Sequence, residues 1–433
     1  MSLILIPNNT PTTNVAMIFS QFGNKFTQDA GITRLMNDLN QGLRTPGAIM
    51  LGGGNPAHIP EMDDYFQQLL TEMVANGQLT DTLCNYDGPQ GKDTLIQALA
   101  EMLREKLGWE IGTQNIALTN GSQSAFFYLF NLLAGRGEDG SVRKVLFPLA
   151  PEYIGYSDSG LDEGLFIANK PNIELLPEGQ FKYHVDFDHL NITEDIGLIC
   201  VSRPTNPTGN VITDEELQRL DYLAQQHQIP LLIDNAYGVP FPGIIFSEAT
   251  PLWNPNIILC MSLSKLGLPG SRCGIIIAND KIINAVSNMN GIISLAPGGV
   301  GPAMALEMIR RNDLLRLSQE VIRPFYQQRV QDVIQIIRRY LPAELCLIHK
   351  PEGAIFLWLW FKNLPITTEM LYHRLKKRGV LMVPGHYFFP GLEQDWPHTH
   401  ECMRMNYVPD PESIAKGIAI LAEEIKLAHQ QAA

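Results

Sequence analysis

Lys265 is the residue whose type and setting could carry covalent chemistry. It ends the segment Ser262-Leu263-Ser264-Lys265, which follows an apolar run that predicts a β-strand. A lysine amine has a pKa of about 10.4 and is protonated at neutral pH, but burial and nearby cations lower this value and free the lone pair. Such an amine can form an imine with an aldehyde cofactor, whose phosphate Ser262, Ser264 and Arg272 could hold. Taken alone, the segment is equally consistent with a surface lysine beside a serine cap.

An anion site is indicated by the segment Gly121-Ser122-Gln123, which lies between a predicted strand and a predicted helix. Free backbone amides at the start of a helix, together with the positive end of its dipole, suit a phosphate group. An ordinary strand-to-helix turn is an alternative explanation for an isolated Gly-Ser pair.

Two further polar residues follow strands of the same predicted sheet. Asp234 ends the strand Leu231-Leu232-Ile233, and Asn206 lies between Pro204 and Pro207 in the loop after another strand. A carboxylate at the first position could pair with a protonated ring nitrogen, and a stiffened loop could aim the amide at a ring hydroxyl. A turn cap and an ordinary loop remain the alternatives.

Arg404 lies in the apolar strand Cys402-Met403-Arg404-Met405-Asn406. A guanidinium among such neighbours needs an anionic partner, and bidentate binding of a carboxylate is its typical role. A structural salt bridge is the alternative. His398, His400 and Cys402 nearby match no standard zinc spacing, so we expect no metal site.

The composition limits the class of protein. The chain has 433 residues, 45% of them apolar, and a net charge of −13, which argues against binding to nucleic acid or to an anionic membrane surface. No apolar run approaches the roughly 20 residues of a membrane span. Six widely spaced cysteines predict free thiols and a reducing, cytoplasmic location. Residues 1–16 contain no basic residue and are expected to be a disordered leader, with Met17 as an alternative start.

The elements that would position these residues alternate between strand and helix. Near-continuous apolar strands predict an α/β fold with a mostly parallel, seven-stranded-type sheet that helices cover on both faces. Thr213 and Glu216 form a capping box that begins one of these helices. From Leu314 onward a long helix to Tyr340 leads into a smaller α+β region. We therefore predict an N-terminal segment at 17–64 that joins the small domain, a large domain at 65–313 and a small C-terminal domain at 314–433.

Taken in order, these motifs resemble the pyridoxal 5′-phosphate-dependent aminotransferases of fold type I, class I/II. The resemblance is carried by Asn-Pro-Thr-Gly at 206–209, Asp234 with Tyr237, the segment that ends at Lys265, Arg272 and Arg404. Segments 51–56, 84–91, 119–127 and 384–391 add to it, so that it covers almost all of the chain from about Phe19.

The resemblance implies that Lys265 attaches the cofactor and shuttles a proton at the substrate Cα. It implies that Asp234 pairs with the ring nitrogen, that Asn206 and Tyr237 hydrogen-bond the ring hydroxyl and that Tyr153 stacks on the ring. The residues implied in phosphate binding are Ser122, Gln123, Ser262, Ser264 and Arg272. The spacing from Lys265 to Arg272 is one residue shorter than in many members of this family.

The resemblance also implies a homodimer, because Tyr86 matches a tyrosine that reaches the phosphate in the neighbouring subunit. Arg404 would bind the substrate α-carboxylate, with Gly53 or Gly54 beside it and Asn206 in contact.

We find no clear second arginine for a distal carboxylate, and aromatic residues near the expected site favour a small aliphatic substrate: Phe19, Tyr153, Phe388 and Phe389. We therefore expect amino transfer between L-valine and pyruvate. The alternative is another enzyme of the same fold type, either an aminotransferase of different specificity or a β-lyase. A nicotinamide-dependent enzyme is disfavoured because Gly52-Gly53-Gly54 lacks the spacing of a dinucleotide-binding loop.

Overall fold

The computed structural model describes residues 17–27, 33, 37 and 46–432 of the chain. The predicted leader at 1–16 lies outside these residues, as does most of 28–45. The strands are β1 Ile49–Met50, β2 Ile116–Thr119, β3 Gly135–Arg136, β4 Val142–Phe147, β5 Phe166–Ala168, β6 Asn172–Leu176, β7 Gln180–His184, β8 Ile196–Ser202, β9 Leu231–Asp234, β10 Ile257–Ser262, β11 Gly274–Ile277, β12 Leu347–His349, β13 Phe356–Trp360, β14 Val380–Leu381, β15 Val383–Pro384 and β16 Cys402–Asn406.

The helices lie between these strands and at the two ends of the described chain. They are α1 Gln21–Phe26, α2 Pro60–Ala75, α3 Gln78–Cys84, α4 Asp93–Leu107, α5 Ser122–Leu133, α6 Asp214–Gln226, α7 Asp280–Ser294, α8 Val300–Arg310, α9 Asp313–Leu317, α10 Arg323–Tyr340, α11 Thr368–Lys377 and α12 Pro411–Ala432. The predicted capping box is present at the start of α6, where the Thr213 side chain accepts from the Glu216 backbone N–H and the Glu216 side chain accepts from that of Thr213.

The larger sheet has eight strands in the order β2-β11-β10-β9-β8-β4-β3, with β5 paired to β4. Strands β10, β9, β8, β4 and β5 are parallel, whereas β11 runs antiparallel to both β10 and β2. The predicted mostly parallel α/β sheet is thus confirmed, with β3 as a short antiparallel edge strand.

Alternate residues of these strands belong to two separate apolar cores. On β10, Ile257, Leu259 and Met261 pack into one core, and Ile258 and Cys260 pack into the other. Helices α2, α4, α6 and α8 contribute to the first core, and α5 and α7 to the second. Both faces of the sheet are covered, which explains the near-continuous apolar strands.

A second sheet has the strand order β15-β16-β13-β12-β7-β6. Four of its strands come from residues 347–406, whereas β6 and β7 come from the range predicted for the large domain. The short strand β1 pairs in parallel with β14, so the N-terminal segment joins the C-terminal region. The second sheet therefore draws strands from both of the predicted domains.

The long helix predicted from Leu314 to Tyr340 is interrupted. Helix α9 ends at Leu317, a π-helical turn covers Ser318–Ile322, and α10 begins at Arg323. Pro324 lies in the first turn of α10. Proline has no backbone N–H to donate to the preceding turn, which is why the regular hydrogen bonding stops before it.

The described residues contain no helix that is both long and apolar enough to cross a membrane. All six cysteines are free thiols; five are buried, and Cys84 is exposed.

Candidate active site

The carboxyl ends of the parallel strands open into a cavity of about 340 Å³. Ser202, at the end of β8, pairs in register with Asp234 on β9, and Ser262 ends the adjacent strand β10. Most of the predicted site residues line this cavity: Gly54, Ser122, Gln123, Tyr153, Asn206, Asp234, Tyr237, Ser262, Ser264, Lys265, Arg272 and Arg404.

Asp234 provides a buried carboxyl group at the floor of the cavity. Its Oδ2 accepts a hydrogen bond from the Tyr156 hydroxyl at 2.6 Å, and its Oδ1 accepts from the backbone N–H of Ala236 at 3.0 Å. Burial raises the pKa of Asp234 to about 6, although these hydrogen bonds and the charge of Lys265 oppose the shift. The carboxylate form can therefore receive a positively charged partner at neutral pH.

Lys265 brings an amine to the same cavity. Its Nζ donates to the carbonyl oxygen of Gly54 at 2.5 Å and lies 5.3 Å from the centre of the Tyr237 ring. Burial, together with the positive charge of Arg404, lowers the pKa of Lys265 to about 8, and the charge of Asp234 opposes this shift. A sizeable neutral fraction at pH 7–8 makes this amine a nucleophile and a base.

One end of the cavity is suited to an anion. Helix α5 begins after Gly121, which has a φ of +86° and offers no side-chain cap, so the first backbone N–H groups face the cavity end without a capping side chain. A Cβ at Gly121 would lie 2.1 Å from Nη2 of Arg272. Because Gly121 has no Cβ, the guanidinium can lie against the start of the helix. The loop after Lys265, although it is short, therefore brings Arg272 to this end of the cavity.

The hydroxyl groups at the same end are held in place locally. Ser262 Oγ lies 2.9 Å from Ser264 Oγ and accepts from the backbone N–H of Ser264 at 3.0 Å. The side chain of Gln123 instead donates to the carbonyl oxygen of Gly155 at 2.9 Å. Its backbone N–H, in the first turn of α5, is thus the group that suits an anion.

Arg404 is the third charged group of the cavity and is buried on β16. Its Nη1 donates to Asn206 Oδ1 at 2.9 Å and its Nη2 to the carbonyl oxygen of Gly52 at 2.8 Å. The rings of Phe356 and Phe388 lie 4.2 and 5.0 Å from its Cζ. Burial lowers the pKa of Arg404 to about 10. Its buried Nε has no hydrogen-bond partner among the described residues, so the group remains available to an anionic ligand.

The glycine segment 52–54 connects the two cationic groups. The carbonyl oxygen of Gly53 accepts from Asn406 Nδ2 at 2.7 Å, between the contacts that Gly52 and Gly54 make to Arg404 and Lys265. Gly53 itself is not among the residues that line the cavity.

Besides Gly53, four of the residues that the sequence indicated are absent from the lining of this cavity: Tyr86, Phe19, Phe388 and Phe389. Tyr86 is 85% exposed and borders a separate hollow together with Gly270 and Ser271. Phe389 borders another hollow with Trp396, and Phe19 is half exposed and absent from the lining. Of the four aromatic residues expected beside the substrate, Tyr153 lines the cavity and Phe388 contacts Arg404.

Sequence reasoning missed two buried polar residues behind the cavity. Tyr156 hydrogen-bonds Asp234, and Glu152 contacts Ser202, whose Oγ lies 2.6 Å from Glu152 Oε2. A signal for both existed in Pro151-Glu152-Tyr153-Ile154-Gly155-Tyr156. Two tyrosines three residues apart share one face of a 3₁₀ turn, and a lone carboxyl among apolar neighbours needs donors.

The described residues contain no group of three His, Cys, Asp or Glu side chains that could hold a metal ion. The groups that line the cavity are an amine, a carboxyl group, two guanidinium groups and several hydroxyl and amide groups.

Comparison with known proteins places this chain in one family. The chain is 78% identical over 412 residues to the valine–pyruvate aminotransferase of Escherichia coli (strain K12), a match that covers 95% of this chain and 99% of the relative. The crystal structure of valine-pyruvate aminotransferase from Salmonella typhimurium LT2 shares 76% identity with a TM-score of 0.87, covering 93% of this chain and 100% of that one.

A more distant solved structure, the multiple substrate aminotransferase from Thermococcus profundus, shares only the fold. It is 22% identical, has a TM-score of 0.77 and covers 95% of this chain and 98% of its own. The sequence model of the aminotransferase class I and II family matches residues 62–421. The chain is therefore an aminotransferase and belongs to the class I and II family.

Proposed function

We propose that this enzyme transfers the amino group between L-valine and pyruvate, giving 3-methyl-2-oxobutanoate and L-alanine, with pyridoxal 5′-phosphate as cofactor. The observation that carries the proposal is one cavity in which the half-buried amine of Lys265 meets the buried carboxyl group of Asp234 and the buried guanidinium of Arg404. The 78% identity to a valine–pyruvate aminotransferase supports the substrate pair and does not favour a β-lyase.

The residues of the cavity fit this cofactor. The start of α5, Ser262, Ser264 and Arg272 suit its phosphate, because the guanidinium lies against a glycine and no side chain caps the helix. Asp234 suits a protonated ring nitrogen, and Asn206 and Tyr237 suit the ring hydroxyl. When bound, the cofactor supplies a carbonyl carbon that reacts with amines and a ring that withdraws electrons from the substrate Cα.

The chain's own groups would then bind, orient and move protons. Arg404, whose Cζ lies near two phenylalanine rings, binds the α-carboxylate through its guanidinium N–H groups, and its Nε has no hydrogen-bond partner among the described residues. Asn206 fixes the orientation of that guanidinium through its Oδ1. Lys265 Nζ, with its lowered pKa, removes the proton from the substrate Cα as a general base. Asp234 supplies the negative charge at the opposite edge of the ring.

The lining of the cavity favours an amino acid with one carboxylate. Its described cations are Lys265, Arg272 and Arg404, and each already has a task, so a second carboxylate would find no partner. Apolar contact with Ile154, Phe356 and Tyr153 is available to the side chain of valine. A hydrophobic pocket separates substrates by only about 1–3 kcal/mol per methylene, so alanine and 2-aminobutyrate are also expected to react.

We further propose a homodimer in the cytoplasm. The exposed Tyr86 borders the hollow that Leu83 and Ala296 also line, and Ala296 follows the exposed apolar side chains at the end of α7. We call these residues the Tyr86 surface: Leu83, Tyr86, Ile292, Ile293 and Leu295. A second copy that covered this surface would bring its own Tyr86 toward the phosphate end, because Ser271 in the adjoining hollow directly precedes Arg272.

The amino transfer is tested with purified protein loaded with pyridoxal phosphate. L-Valine and pyruvate should yield L-alanine, and L-aspartate should be a poor donor; strong preference for a dicarboxylic donor would reject the proposal. Borohydride reduction followed by peptide mapping should find the pyridoxyl group on Lys265.

A matched pair of lysine variants completes this test. Lys265→Ala should lower turnover by about a thousandfold, because it removes a nucleophile and general base. Lys281→Ala, which removes a lysine from the exposed face of α7, should retain activity.

A further inference from the structure

Glu152 is a buried carboxyl group that the proposed mechanism does not use. Its residue exposure is 0%, and it makes no ion pair within the part of the chain that the structure describes. Its Oε1 accepts from the backbone N–H of Ser202 at 2.9 Å, and its Oε2 lies near the backbone N–H of Tyr153 at 3.3 Å. Its own backbone N–H donates to the carbonyl oxygen of Phe388 at 2.8 Å. Glu152 thus contacts the end of β8 through its carboxyl group and Phe388 through its backbone.

A chain of oxygen contacts leads from Glu152 to Asp234. Glu152 Oε2 lies 2.6 Å from Ser202 Oγ, which lies 3.3 Å from the Tyr156 hydroxyl, which lies 2.6 Å from Asp234 Oδ2. The chain has three contacts. If both carboxyl groups are ionised, only the serine and tyrosine hydroxyls carry a proton, and one contact is left without a hydrogen.

One added proton on Glu152 completes the chain. Glu152 then donates to Ser202, Ser202 donates to Tyr156, and Tyr156 donates to Asp234, so that every contact is a hydrogen bond in the same direction. The negative charge then lies on Asp234, which lines the cavity beside Lys265, and not on Glu152, which does not. One negative charge on a pair of buried carboxyl groups costs less free energy than two negative charges would.

We propose that Glu152 is a positioning residue, held as a neutral acid, that keeps Asp234 ionised and oriented through Ser202 and Tyr156. The role deepens the proposed function, on which it rests, because an ionised Asp234 is what a protonated ring nitrogen requires.

The charges around the pair support this assignment. Burial, together with the nearby charge of Asp234, raises the pKa of Glu152 to about 8, and the hydrogen bonds from Ser202 and Tyr153 oppose this shift. Burial raises the pKa of Asp234 only to about 6, where Lys265 favours the ionised form. The other titratable groups near the pair are Tyr153, Tyr156, Cys200, Tyr237 and Cys260, whose pKa values burial raises, so all are neutral at pH 7.

The first test reads the protonation of Glu152 directly. At pH 7 the infrared difference spectrum of the full-length chain, wild type minus Glu152→Gln, should contain the carbonyl band of a protonated carboxylic acid. Glu424→Gln is the matched control: Glu424 is also buried but pairs with Arg378, so its difference spectrum should contain carboxylate bands only. Carboxylate bands from Glu152 at pH 7 would overturn the proposal. This reading needs no substrate, so it leaves the proposed amino transfer untouched.

The second test reads the effect on the cofactor in the loaded enzyme. A glutamine amide donates to Ser202 as the neutral acid does, so Glu152→Gln should keep the wild-type pH titration of the cofactor absorbance. Glu152→Met has no donor and should shift that titration and weaken cofactor binding by about 10-fold.

A break elsewhere in the chain checks that Glu152 acts through it. Tyr156→Phe should produce the same spectral shift as Glu152→Met, and the double variant should be no worse than either single one. An unshifted titration in a folded Glu152→Met protein, or a shift as large in Glu152→Gln, would reject the role.

Discussion

Three charged groups of the cavity, Lys265, Asp234 and Arg404, are held in settings that disfavour their charge. Burial lowers the pKa of Lys265 to about 8 and of Arg404 to about 10, and it raises that of Asp234 to about 6. Such groups lower the stability of the cofactor-free protein, and they are typical of functional sites because function and not stability retains them. The cost falls when a ligand of opposite charge arrives, which ties the binding of cofactor and substrate to the stability of the fold.

The lowered pKa of Lys265 predicts how cofactor uptake depends on pH. The reactive form is the neutral amine, so the rate at which the cofactor-free chain takes up pyridoxal phosphate should rise with pH through a midpoint near 8. Stopped-flow absorbance measures this rate. A midpoint near 10, the ordinary lysine value, would contradict the geometry of the site.

The raised pKa of Asp234 predicts a gain in stability when its charge is removed. Since the pKa is higher in the folded state than in the unfolded state, the cofactor-free protein loses stability as pH rises from about 4 to about 6. Asp234→Asn should abolish this loss and stabilise the cofactor-free protein at pH 7 by up to about 3 kcal/mol, since one pKa unit is about 1.4 kcal/mol. Denaturant unfolding at pH 4 and pH 7 measures both effects, and turnover should fall at the same time. Equal stability of variant and wild type at pH 7 would refute the expectation.

At the scale of single elements, the start of α5 decides whether an anion can bind. Gly121 has a φ of +86°, and its missing Cβ leaves room for the guanidinium of Arg272. Glycine serves here both as a residue with positive φ and as the site of a close approach. The strand ends supply the other half of the site, because parallel strands bring Ser202, Asp234 and Ser262 to one edge of the sheet.

Gly121→Ala should weaken the binding of pyridoxal phosphate by at least about tenfold, because the new Cβ displaces Arg272. A loss of about 1 kcal/mol or more in unfolding free energy should accompany it, from the positive φ alone. Gly77→Ala is the matched control. Gly77 also precedes a helix with a φ of +81°, but nothing lies within 4 Å of its Cβ position. The Gly77→Ala variant should therefore lose stability but keep its affinity for the cofactor. Comparable loss of cofactor affinity in both variants would mean that Arg272 plays no part.

At the scale of the whole molecule, the two sheets meet around one cavity. Lys265 and Asp234 come from the larger sheet, and Arg404 comes from β16 of the second. The contact between Arg404 and Asn206 crosses from one sheet to the loop that follows a strand of the other. Cofactor and substrate would therefore bridge the two halves of the fold.

The Tyr86 surface predicts an assembly of two copies. Ile292 is 85% exposed at the end of α7, and an aspartate there should break an apolar interface between copies. Ile292→Asp should shift the mass measured by light scattering from dimer to monomer and lower activity. Met370→Asp is the control, since Met370 is also an exposed apolar residue but lies on α11, outside this surface. A wild-type protein that is monomeric at working concentration would remove the basis for a shared site.

The amino-acid sequence alone determined the fold class and the chemical groups of the site. The near-continuous apolar runs predicted the parallel strands. Asp234 ends one of these strands, and Lys265 and the Asn206 loop follow two others. These predictions depend on local order along the chain, because a strand end is next in sequence to the residue it positions.

Only the tertiary structure decided which distant residues meet. Three features join segments that are far apart in sequence: the contact of Glu152 with Ser202, the contact of Arg272 with Gly121, and the pairing of β7 with β12 in the second sheet. Burial, which sets the pKa values of Lys265 and Asp234, is likewise a property of the packed molecule. Pairing between remote segments and removal of water depend on how the whole chain packs, and no local pattern of residues contains that information.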